Sequence, residues 1–66
     1  MKNYAAAIAD YEVVLKEDPG FPMALFGRGV ARLRLGDKAG GDADIAAALK
    51  EDREVAGIMA QRGIRP

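Results

Sequence analysis

Arg28 and Arg32 stand one helical turn apart, with Arg34 close by in sequence, and the acid pairs Asp42/Asp44 and Glu51/Asp52 follow. These residue types could build a charged site. Two guanidinium groups in register receive a carboxylate in a planar, bidentate fashion, and two convergent carboxylates can divide acid and base duties. The carboxylate possibility fails on geometry, because close neighbours on a helix point apart; these acids read as solvated surface. For the arginines, one reading is a receptor for an acidic peptide. The other, which is the expectation, pairs them with Asp10, Glu12, Asp42 or Asp44 on neighbouring helices while their stems cover apolar surface.

The rest of the chemical inventory is thin. The chain has no histidine, cysteine, serine or threonine, so the usual nucleophiles and general bases are missing. A zinc site lacks its common ligands, and no disulfide can form. Gly27-Arg28-Gly29 and Gly40-Gly41 do not make a phosphate loop, since no lysine followed by serine or threonine accompanies them. No catalytic, cofactor-binding or metal-binding residue is assigned, and no enzymatic activity is expected.

Ten basic and ten acidic side chains cancel, which removes the electrostatic footprint of a nucleic-acid binder. A small helical DNA-binding domain is the alternative that helices with glycine-containing joints invite, and the charge balance argues against it. No run approaches the roughly 18 apolar residues of a membrane span. Asp10 and Glu12 interrupt the opening segment too early for a secretory leader. The chain reads as soluble, and its lack of cysteine suits the cytoplasm. At 66 residues a single core barely outweighs chain entropy, so close helix packing or association must supply the difference.

Helices are what position these groups. Tyr4, Ala7, Ile8, Tyr11, Val14 and Leu15 recur at the spacing of an amphipathic helix. Asn3 is its expected N-cap and Pro19-Gly20 its stop. Pro22 suits the first turn of a second helix, which ends at Leu35-Gly36-Asp37 with Gly36 left-handed. That helix shows a broad face of Met23, Leu25, Phe26, Gly29, Val30 and Leu33 and a small-residue stripe of Ala24, Gly27 and Ala31, the pattern of a helix held between two others. A third helix carries Ala43, Ile45, Ala48 and Leu49. Gly40 and Gly41 weaken its start by about 1 kcal/mol each, leaving Asp37 or Asp42 as cap, with Asp37 favoured. A short fourth helix is expected over Glu54 to Arg62. Short joints make neighbours antiparallel.

The sequence also repeats itself. Leu15-Lys16-Glu17-Asp18 recurs as Leu49-Lys50-Glu51-Asp52, and the same 34-residue shift lays Ala5 on Ala39, Ala9 on Ala43, Asp10 on Asp44 and Arg28-Gly29 on Arg62-Gly63. A helical period of that length resembles the tetratricopeptide repeat (TPR) family over nearly the whole chain. The family's first-helix signature falls on Leu25, Arg28-Gly29 and Arg32. Its second-helix signature falls on Ala7, Tyr11 and Val14, and again on Gly41, Ile45 and Ala48, with Pro19 in the family's proline position and Arg53 as its counterpart. Arg28 and Arg32 depart from the family pattern, which favours large apolar groups there, and Gly41 replaces alanine.

The resemblance implies an all-α fold of antiparallel hairpins in a right-handed superhelix of about four helices, read as one domain over 1–66. Within it, 1–20 would be a second helix, 21–54 one complete repeat and 55–66 a first helix, as in the closing stretch of a longer array or a shortened relative. It also implies a non-enzymatic protein-protein interaction module, with a peptide or protein partner bound along Met23, Phe26, Gly27, Val30, Leu33 and Arg34. Apolar faces left open at both ends point to a homo-oligomer, a dimer in which helices are exchanged, with no cofactor and neither nucleic acid nor membrane as partner.

Overall fold

Four helices carry the chain: α1 (Tyr4–Glu17), α2 (Pro22–Arg34), α3 (Lys38–Glu51) and α4 (Val55–Gln61). They are seen in a computed structural model that describes residues 3–66; the first two residues of the opening segment 1–20 lie outside it. Among the described residues there is no strand, and the all-α expectation holds.

Local chemistry explains each boundary, and does so twice. The Asn3 side chain accepts the Ala6 N–H at 3.0 Å and the Asp37 side chain accepts the Gly40 N–H at 2.9 Å, satisfying amide groups that the first turn leaves unpaired. Asp37 is therefore the cap of α3, as favoured. At the other ends Asp18 and Asp52 leave the helical region, and their side chains accept the N–H of Gly20 at 3.3 Å and of Glu54 at 2.9 Å. So α1 and α3 match in length, cap and exit, at the sequence shift of 34 residues.

α2 and α4 end alike but differ in length, 13 and 7 residues. Gly36 and Gly63 take φ of 89° and 80°. In each case the following residue's N–H reaches back five residues, Asp37 to the Arg32 carbonyl at 2.8 Å and Ile64 to the Met59 carbonyl at 2.9 Å. Only glycine adopts this left-handed geometry at little cost. In the first hairpin the residue in register with Gly63 is Gly29, which lies inside α2. There Val30-Ala31-Arg32-Leu33 continues the helix, whereas Pro66 pushes Arg65 away from helical geometry. α4 accordingly stops within a residue of its expected end.

α2 is the hub. It touches α1, α3 and α4; α3 and α4 also touch, while α1 reaches neither of them. Leu15, Leu25, Phe26, Val30, Ala48, Val55 and Met59 form the buried cluster. Each such large side chain contributes roughly 1.5–3 kcal/mol on burial, the main stabilisation available to a chain of this size. The tightest packing lies between α2 and α3. A Cβ on Gly29 would sit 2.8 Å from the Gly41 carbonyl oxygen, and one on Gly41 would sit 2.7 Å from the Gly29 carbonyl oxygen. The two backbones meet here. Gly41 thus weakens α3 locally and lets it approach α2.

Candidate functional site

Two features stand on opposite sides of α2. Between α1 and α3 lies a charged junction. Arg28 donates from Nε to Asp44 Oδ2 and from Nη2 to Asp44 Oδ1, both at 2.9 Å, and Arg32 donates from Nη1 to Asp44 Oδ2 at 2.9 Å. Glu12 of α1 completes it, 3.9 Å from Arg28 and 4.0 Å from Arg32. Asp44 is 6% exposed. A buried carboxylate is tolerated only when its oxygens are satisfied, and here three charge-assisted bonds do so.

Hydrogen bonding to Asp44 raises the pKa of Arg28 above its already high ordinary value; burial opposes this, and the Asp44 and Glu12 charges reinforce it. Because the shift is upward, its stabilising effect is complete below the unfolded pKa and is lost only as pH rises through the folded one, in strongly alkaline solution. The junction therefore ties α2 to α3, with Glu12 of α1 at its exposed edge. Arg28 and Arg32 are engaged within the chain, as expected from the pairing with Glu12 and Asp44.

On the other side, α2 floors a groove whose walls are α1 and the turn after α4. One cleft of about 340 Å³ is lined by Tyr4, Ala7 and Tyr11 of α1, by Gly27, Val30, Ala31 and Arg34 of α2, and by Arg62 to Arg65, with Asn3 at the mouth. A second of about 170 Å³ adjoins it, sharing Tyr11, Arg62 and Ile64 and adding Val14, Phe21, Met23, Ala24 and Met59. The groove is narrow where the Tyr11 ring lies over Gly27. A Cβ on Gly27 would fall 2.7 Å or less from several ring atoms, so the missing side chain lets Tyr11 settle on the helix. Arg34 donates to the Arg65 carbonyl at 2.9 Å, holding the segment after Gly63 against the end of α2. Arg34 also donates to the Pro66 carbonyl oxygen at 3.4 Å, and among the described residues Arg34, Arg62 and Arg65 have no Asp or Glu side chain within ion-pair distance.

Of the six residues expected to line a binding face, Met23, Gly27, Val30 and Arg34 come together along the groove floor. Val30 and Gly27 are buried in that floor, Met23 is half-buried and Arg34 is exposed. Phe26 and Leu33 lie elsewhere. Phe26 is a core residue, and Leu33 turns towards α3, its Cγ 2.6 Å from the place a Gly41 Cβ would take. Sequence reasoning missed the groove wall, Tyr4, Ala7, Tyr11 and Ile64. The spacing of the first three marked an apolar face of α1 without showing that part of it stays open. Among the described residues no cluster of acidic side chains could hold a metal ion, and no helix is long and apolar enough to cross a membrane.

No protein-family model matches the chain, and comparisons with curated proteins and with solved structures return no match.

Proposed function

We propose that the chain is a protein-interaction module of TPR type, without enzymatic chemistry, that works in the cytoplasm and associates with copies of itself. The observation that carries this reading is the groove. Met23, Gly27, Val30 and Arg34 fall at three- and four-residue steps along one face of α2, the arrangement by which a helix offers an extended surface to a peptide or a second helix. Support also comes from the paired hairpin geometry, in which caps and exits recur at a period of 34 residues. The chemical inventory agrees, since Arg28, Arg32 and Asp44 are engaged with one another as structural groups.

The groove's mixed lining fits a partner with apolar side chains flanked by acceptors for arginine. Selection of displayed random peptides against the immobilised chain tests the reading. The expected result is enrichment of related sequences whose binding is abolished by Tyr4→Arg and by Arg34→Glu. Enrichment of nothing, or of peptides indifferent to both substitutions, would overturn it.

A further inference from the structure

The Arg28–Asp44 pair joins α2 to α3. The same shift that relates the two hairpins carries Asp44 back to Asp10 and Arg28 forward to Arg62. Both of these are exposed, and among the described residues neither has an oppositely charged side chain within ion-pair distance. Each molecule thus displays, on α1 and just past α4, the separated halves of an ion pair that it also makes internally.

The apolar neighbours match in the same way. One turn from Asp10 on α1 lies Val14, 39% exposed, and one turn from Arg62 on α4 lies Ile58, also 39% exposed. In register with them on α3 and α2 are Ala48 and Ala24, 0% and 2% exposed. When two helices run antiparallel with Arg62 opposite Asp10, Ile58 falls opposite Val14, as four-residue spacing requires. Phe21, 38% exposed, borders the same face, whereas Val55 in register with it is fully buried. An acid with an apolar residue faces a base with an apolar residue, at matching spacing and in the orientation the internal hairpin already uses.

We propose that a second copy of this chain stacks head to tail on the first. α4 of one molecule packs antiparallel to α1 of the next, Arg62 of the one pairs with Asp10 of the other, and Ile58 covers Val14. This rests on the reading of the chain as a self-associating module and fixes which surfaces meet. Because Ile58 and Val14 are larger than Ala24 and Ala48, the axes at this junction lie farther apart than those of α2 and α3. Val14 and Arg62 border one cleft of the molecule, so the two patches adjoin; the contact pairs unlike helices and is heterologous, and each added copy brings its own half-sites.

Sedimentation velocity over a wide concentration range tests this with four proteins: the parent chain, Asp10→Arg, Arg62→Asp and the double reversal. Far-UV circular dichroism confirms that each remains helical, which exposed positions permit. The parent is expected to grow in average mass with concentration. Each single reversal should weaken association by about tenfold or more, and the double reversal should restore it to within about threefold, since charge complementarity sets partner choice.

A parent that stays monomeric throughout overturns the proposal, leaving the α1 face to a different helix. Association that the single reversals do not weaken, or that the double reversal does not restore, also overturns it. In that last case the interaction-module reading stands. If peptide selection fails while assembly follows the charge reversals, the groove reading falls and this junction remains.

Discussion

The joint after α1 and the joint after α3 use the same device, an aspartate whose side chain accepts the amide two residues on. Yet the residues around the two joints live in different surroundings. Val14 and Phe21 are 39% and 38% exposed at the first, whereas Ala48 and Val55 are fully buried at the second. Leu15 and Leu49 reverse the contrast, at 8% and 36% exposed. Local chemistry therefore sets the shape of each hairpin, and position in the stack sets what each residue is worth. Asp10 and Asp44 are the sharpest case, one residue type in one register, solvated on α1 and triply bonded on α3.

The largest expected effect breaks that contrast directly. Asp44→Ala should cost about 3 kcal/mol in urea denaturation, because two arginines lose their common acceptor in a largely desolvated site. Asp10→Ala should stay within about 0.5 kcal/mol in the monomer, as exposed substitutions do. Equal costs would mean that register, not surroundings, decides the energetics.

A step down, Val55→Ala should lose about 2 kcal/mol by the same measurement, from transfer and cavity terms together. Phe21→Ala, although it removes more atoms, should lose less than about 1 kcal/mol at low protein concentration, since much of the ring already meets water. Smaller than the losses at Asp44 and Val55 are those at the N-caps. Asn3→Ala and Asp37→Ala should each cost about 1 kcal/mol, and their near equality would confirm that the two caps are equivalent. A difference of about 1 kcal/mol, the worth of a whole cap, would show that tertiary context reaches even these exposed hydrogen bonds.

The helices and their ends were legible because their signals are local. Pro19, Pro22, Gly36 and Asp37 act on their own backbone or the next turn, and no distant contact overrides them. The division of α2 into a bulky face and a small-residue face also anticipated its place at the hub. Three things were not legible. Gly41 reads as a weak spot until the α3 backbone is seen against Gly29. Phe26 groups with Met23 on a helical projection, yet the two face the core and the groove respectively, because the position of α4 decides which part of a broad face is covered. Arg28 and Arg32 were identifiable as partners for an acid, but the choice of Asp44 over Asp42 depends on the rotation of α3 about its own axis. A two-residue change of position there moves a side chain through more than half a turn.

Among the helices, α1 touches α2 alone. Were α1 to come away while the α2–α3–α4 unit kept its contacts, one wall of the groove would go with it. The cleft exists only in the population with α1 in place. Anything that settles into it must favour that population by mass action, so occupancy of the groove and fastening of the first helix are one equilibrium measured from two sides.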